Sequence, residues 1–333
     1  MPRRNSSARA SIRQTLLFSQ VGLEQGPINH IYRPSPRHAS RIKIAVFDAK
    51  REKQFSLIFL LWPKACGSLA VMTIAVGHIA RNAGLLLAII AFMYATACFL
   101  LFAMQRSMLY YPQPGAAETA DSALTMPVHG AALRVSVREQ ASPKALIYFG
   151  GNAEDVSLSL PAFSLAFPDR ALFLLHYRGY GGSSGKPSEE AIQSDALALF
   201  DRVHLEHPDI ALVGRSLGSG VAIRLASHRP VSSLVLVTPY DSIEELAARQ
   251  FPYFPIRWLL TDKFESWRYA PAIHAPTLLL AAANDAVIPR ANTEKLYGAF
   301  SQSVASLKII PEVDHNTISN SPLYLQEIRR ALD

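Results

Sequence analysis

From Tyr110-Tyr111-Pro112 onward the chain alternates short apolar runs with amphipathic stretches. The runs 145–149, 171–176, 210–214, 233–238, 277–283 and 306–310 read as strands. They are hydrophobic at successive positions and not only at alternate ones, which predicts a sheet covered on both faces. Between them, 188–206, 217–228, 290–300 and 321–332 repeat apolar residues at helical spacing. Strand and helix in alternation predict βαβ units and a mainly parallel sheet with helices on both faces. Ser188 follows Pro187 and precedes Glu189 and Glu190, so it is placed to cap the first of these helices with acidic residues in its first turn. No internal repeat is visible.

The N-terminal third has a different pattern. Residues 84–104, GLLLAIIAFMYATACFLLFAM, carry no charge and lie between Arg81 and Arg106. About twenty apolar residues are enough to cross a bilayer core as a helix. A cleaved signal would be followed by a small-residue site and polar sequence, and a core helix would show a polar face, so a retained transmembrane anchor is the expectation. The run Ala95-Thr96-Ala97-Cys98 has the look of a lipoprotein cleavage site, but Phe99-Leu100-Leu101-Phe102 continues apolar where a mature lipoprotein turns polar.

Residues 55–83 hold an earlier apolar run broken by Pro63 and Lys64, and three readings are open: a second span, an interfacial segment or untranslated sequence. One span predicts a catalytic domain on the far side of the membrane from a cytoplasmic N-terminus, and two spans predict a cytoplasmic domain. Residues 1–54 are rich in Arg, Ser and Pro without sustained periodicity, as in a disordered basic tail or an over-extended reading frame for which Met72 is the alternative start.

Charge changes the picture only at that end. The net charge is +7, yet residues 1–53 hold eleven Lys and Arg against Glu24, Asp48 and Glu52, so the remainder is close to neutral and no nucleic-acid partner is expected. Cys66 and Cys98 both precede residue 105, so the region 105–333 has no internal disulfide and no Cys-based metal site.

The run 210–220, IALVGRSLGSG, leads a buried strand straight into G-x-S-x-G and then into a helix, which is the setting of a nucleophile elbow at Ser216. Gly214 and Gly218 let strand and helix approach, and the following helix N-terminus places partial positive charge where an oxyanion would form. A serine alcohol needs a base in reach and the base needs an acid to orient it. Asp285 follows the strand 277–283 and His315 follows 306–310, both at the edge where Ser216 lies. An Asx-turn role competes for Asp285, and Asp314 and Asp241 are rival acids; a solvated loop histidine is the plainer reading of His315, and His274 precedes its strand and faces the wrong edge. Leu217 supplies one oxyanion N–H. Asn152, in Gly150-Gly151-Asn152-Ala153 after an early strand, is the candidate for the second. Neither Rossmann nor P-loop spacing is met at these glycines.

These residues resemble the serine-aminopeptidase-like branch of the α/β-hydrolase superfamily, especially its small membrane-anchored members. The likeness runs from Gln105 to the C-terminus. It includes 105–112 (QRSMLYYP), 177–185 (YRGYGGSSG) with Pro187-Ser188-Glu189, and Ala275-Pro276. Gly150 stands where that branch usually has His, and His176 where it usually has Asp. The resemblance implies an α/β-hydrolase fold, a short helical lid insert at 240–269, no cofactor and no metal. It implies hydrolysis of an acyl bond, ester or thioester, with peptidase, acyltransferase and a catalytically silent scaffold as rivals. The insert holds Tyr240, Phe251, Phe254, Trp258 and Trp267, which either line a pocket for a small-molecule or lipid-like acyl substrate or cover the core.

Overall fold

The computed structural model describes residues 52–115, 122–301 and 303–333. Of the expected tail at residues 1–54, residues 1–51 lie outside the described residues. The chain divides into two units, Met1–Val76 and Gly77–Asp333. Helix α1, Glu52–Leu109, continues through Pro63. Its stretch Val71–Leu109 is long and apolar enough to cross a membrane, and Leu85 through Leu87, Phe92 and Phe99 are exposed.

The second unit is built on one eight-stranded sheet ordered β1-β2-β4-β3-β5-β6-β7-β8. Strands β1 (Ala123–Val128) and β2 (Ala131–Arg138) are antiparallel additions at one edge. From β4 (Ala171–Leu175) through β3 (Lys144–Phe149), β5 (Asp209–Arg215), β6 (Ser233–Val237), β7 (Thr277–Ala282) and β8 (Ala305–Ile310) all pairing is parallel. These six strands are the ones the hydrophobic runs predict.

Alternation along each strand feeds two cores. Ile147, Leu212, Leu236 and Leu279 face α3 (Glu189–His204), α4 (Leu217–Ala226) and α8 (Arg290–Tyr297). Leu146, Val213, Val235 and Leu280 face α2 (Leu160–Ala166) and α9 (Pro322–Leu332). Burial on both faces explains why these strands lack a polar alternate position. The Ser188 side chain accepts from Ala191 N–H, as expected of a cap. The insert after β6 forms the short helices α5 (Ile243–Gln250), α6 (Ile256–Leu259) and α7 (Ser266–Tyr269).

The chain enters β4 on one side of β3 and β5 on the other, so the crevice at the C-terminal ends of β3 and β5 is a topological switch point. Ser216 and the Gly150-Gly151-Asn152 loop both emerge there.

Candidate active site

Ser216 is the single residue between β5 and α4, with φ 49° and ψ −115°. A non-glycine residue in this region of backbone space is strained, and the turn is held by its N–H donating to Val237 O at 2.9 Å. A Cβ at Gly218 would collide with the Phe149 carbonyl, so only glycine lets α4 start this close to the end of β3.

His315 Nε2 lies 2.9 Å from Ser216 Oγ, and its Nδ1 lies 2.9 Å from Asp285 Oδ2. The Asp285 side chain is only 6% exposed and that of His315 10%. The other Asp285 oxygen accepts from the N–H groups of Val287 at 2.9 Å and Ile288 at 2.7 Å. So one Asp285 oxygen makes the Asx turn and the other faces the His315 ring. An ionised carboxylate only accepts, so Nδ1 holds the proton and Nε2 faces the hydroxyl as acceptor.

The rival acids are committed elsewhere. Asp314 caps its own loop, accepting from Asn316 N–H and from Thr317 N–H and Oγ1, each at 2.9 Å; these bonds hold its carboxyl below the usual range. Asp241 accepts from Asn292 Nδ2 at 2.7 Å and pairs with Lys295 at 2.7 Å. His274 is exposed, before β7.

Leu217 N–H is the first of α4, and among the described residues neither it nor Asn152 N–H donates a hydrogen bond. The Asn152 side chain is engaged at both its amide nitrogen and its oxygen. Nδ2 donates to Leu109 O at 2.5 Å, and Oδ1 accepts from Tyr111 N–H at 3.0 Å, Tyr180 OH at 2.8 Å and Ala153 N–H at 3.1 Å. Burial pushes the Tyr180 hydroxyl up to about 12, which keeps it a donor.

Two further residues join the site that the motif alone does not flag. Glu154 Oε2 accepts from Gly151 N–H at 2.7 Å and pairs with Arg215 at 3.3 Å, while Oε1 accepts from Tyr148 OH at 2.6 Å. Arg215 also donates to the carbonyls of His315 and Asn316 at 3.4 Å. It therefore ties the oxyanion loop to the histidine loop. Its place beside Ser216 in G-x-S-x-G was the available signal.

His176 is buried against Ser136 Oγ at 2.8 Å, and its carbonyl accepts from Ser183 Oγ at 2.8 Å. Arg178 forks onto Asp195 with two contacts of 2.8 Å. The 177–185 loop is thus anchored with histidine at the position of the usual aspartate.

Of the aromatics in the insert, Phe251 lines a cavity of about 290 Å³, together with Leu101, Met108, Leu109, Ile256 and Leu259. Tyr240 instead lies buried with its hydroxyl donating to Leu217 O at 3.1 Å, so it braces the elbow. Phe254 stacks on Tyr94 of α1 at 5.7 Å, and Trp258 points outward, 89% exposed. Of Tyr240, Phe251, Phe254 and Trp258, only Phe251 is among the residues that line this cavity. The cavity meets the oxyanion loop at Leu109 and Tyr111, the residues bonded by Asn152. A larger hollow of about 650 Å³ between α2 and α9 contains none of the residues above. Among the described residues no group of three His, Cys, Asp or Glu is arranged to hold a metal ion.

A family profile described as the alpha/beta hydrolase fold matches residues 144–266. An uncharacterized protein of Mycobacterium tuberculosis is 32% identical over 267 residues, covering 74% of this chain and 93% of that protein. The lysophosphatidylserine lipase ABHD12 of Danio rerio is 30% identical over 190 residues, 49% of each chain. Among solved structures, the Pyrococcus furiosus esterase Pf2001 superposes with a TM-score of 0.54 at 18% identity, covering 67% of this chain and 98% of the esterase.

Proposed function

The chain belongs to the α/β-hydrolase fold family, and from that premise we propose that it is a membrane-anchored serine hydrolase cleaving an acyl ester or thioester. The observation that carries this is the unbroken line from Ser216 Oγ through His315 to Asp285, both contacts at 2.9 Å.

Ser216 Oγ attacks the acyl carbonyl carbon while its proton passes to His315 Nε2. The carbonyl π pair moves onto oxygen, where the N–H groups of Leu217 and Asn152 receive it. Collapse breaks the bond to the leaving oxygen or sulfur, which takes the proton from His315. Water then attacks the acyl-enzyme with His315 as base, and the acid product leaves with Ser216 restored. Asp285 orients the ring and stabilises the imidazolium in both halves.

The cavity beside Phe251 and Leu109 supplies an apolar bed for the acyl group, and α1 supplies the anchor. A lipase among the relatives favours a lipid-like substrate. The test is fluorophosphonate labelling of membranes containing wild type or Ser216→Ala, alongside hydrolysis of short- and long-chain p-nitrophenyl esters. Labelling and turnover that vanish in the variant support the reading; equal labelling of both proteins refutes it.

A further inference from the structure

The insert does more than cover a cavity: it runs down the side of α1. Asp262 meets the last turns of the helix, accepting from Arg106 Nε at 3.0 Å and Tyr110 OH at 3.0 Å. Thr261 N–H donates to Gln105 Oε1 at 2.7 Å, and Gln105 Nε2 donates to Leu259 O at 3.1 Å. Tyr94 then stacks on Phe254, and its hydroxyl donates to Tyr253 O at 2.9 Å. From Arg106 to Tyr94 is about 18 Å along the axis at the ordinary helical rise.

Residues 82–105 carry no charge, and Arg81 and Arg106 bracket them. That stretch is about 36 Å long as a helix, a match to a hydrocarbon core of about 30 Å. Tyr94 lies near its middle. Drawing the helix along its axis until the insert clears the bilayer would carry Arg81 and His78 into the core, where charge is expensive. Helix register and insert contact together therefore leave one arrangement.

We propose that the tip of the insert, Phe251–Leu260, is embedded in the same leaflet as the adjoining half of α1, so that the cavity beside Leu101, Met108 and Phe251 opens to lipid. This rests on the reading of α1 as a membrane anchor.

The tip is built for that medium. Tyr253 and Trp258 point outward, 86% and 89% exposed. A buried backbone in lipid must satisfy its own polar groups, and most N–H groups of the tip do so. Pro252 and Pro255 have no N–H to satisfy. Phe254 N–H donates to Phe251 O, Ile256 N–H to Phe254 O, Trp258 and Leu259 N–H to Pro255 O, and Leu260 N–H to Ile256 O. The exposed-looking Tyr253 carbonyl accepts from Tyr94. Arg257 is the one charged residue between Phe251 and Thr261, and it pairs with Glu244 at 3.8 Å and Glu245 at 3.4 Å.

The test places a nitroxide on single cysteines in the full chain, with Cys66 and Cys98 replaced by Ser, in phosphatidylcholine vesicles. The sites are Leu87→Cys in the helix, Tyr253→Cys and Trp258→Cys at the tip, and Leu205→Cys at the exposed end of α3. Fluorophosphonate labelling certifies each variant as folded. The expected result is severalfold greater relaxation by oxygen than by a water-soluble nickel chelate at residues 87, 253 and 258, and the reverse at 205. A label at 87 in the core with labels at 253 and 258 in water overturns the embedded tip and leaves the anchor standing. Water-like labels at 87 as well overturn the anchor itself. Should the tip variants fail to fold, brominated lipid quenching of the native protein, compared with Trp258→Phe, reads the same depth: quenching that Trp258→Phe does not diminish overturns the proposal.

Discussion

Asn152 Nδ2 donates to the carbonyl of Leu109, so the side chain that follows Gly151, the glycine beside Ser216, also holds the end of the long apolar helix. The same amide accepts from Tyr111 N–H and Tyr180 OH. Position of the oxyanion loop and position of α1 are therefore linked through one residue.

Asn152→Ala leaves the Leu109 carbonyl, the Tyr111 N–H and the Tyr180 hydroxyl without that partner. Lost hydrogen bonds of this kind cost about 1–3 kcal/mol. The expected outcome is a lower Tm together with a fall of about tenfold in fluorophosphonate labelling rate, since a displaced N–H stabilises the oxyanion less. A drop in Tm with an unchanged labelling rate would show that the loop holds its place without the amide.

Asp285 is expected to matter less than the residues it orients. Ser216→Ala or His315→Ala should each lower kcat by roughly 10⁶-fold, and Asp285→Asn by roughly 10⁴-fold. The Ser216→Ala/His315→Ala double variant should be no slower than either alone, because the three act as a unit. Steady-state kinetics on one ester checks both statements.

Gly150 stands where the resembling branch has histidine, and the space beside it is closed by Val156. A Cβ there would collide with Val156 Cγ1. Gly150→Ala is expected to lose about 1–3 kcal/mol by overpacking. Val156→Ala in the same chain should return part of that loss, and a thermal double-mutant cycle measures the coupling.

Glu189 accepts from Lys263 N–H at 2.7 Å and Phe264 N–H at 2.9 Å, latching the return of the insert. Burial raises its carboxyl above the ordinary 4.5 despite those bonds. With the native value raised, the native state holds this proton more tightly than the unfolded chain. The group's stabilisation is full below the unfolded value and is lost as pH rises through the native one. Glu189→Gln should therefore gain in Tm relative to wild type as pH goes from about 4 to about 7. A constant difference across that range would refute the assignment.

The elements legible in the chain were those whose signal is local. The parallel strands β3 to β7 are buried on both faces, so each shows as a nearly continuous apolar run, whereas β8 at the sheet edge is only partly buried and carries Ser306 and Lys308. The antiparallel β1 and β2 escaped notice because they are partly exposed edge additions, with Pro127 and Arg134 inside them. Helices α2, α6 and α7 span less than two turns and are too short to display a period.

The sequence by itself determined the elbow at Ser216 and the positions of Asp285 and His315 after successive strands, because tight turns and strand ends are set by neighbouring residues. Only the tertiary structure decided what depends on distant segments meeting. It separated Asp285 from Asp314 and Asp241 by which carboxylate reaches the ring, joined Glu154 to Arg215, and turned Phe251 inward and Trp258 outward. Composition states that an insert is aromatic; the face each ring presents is chosen by what packs beside it, and here that neighbour is a helix some 150 residues earlier in the chain.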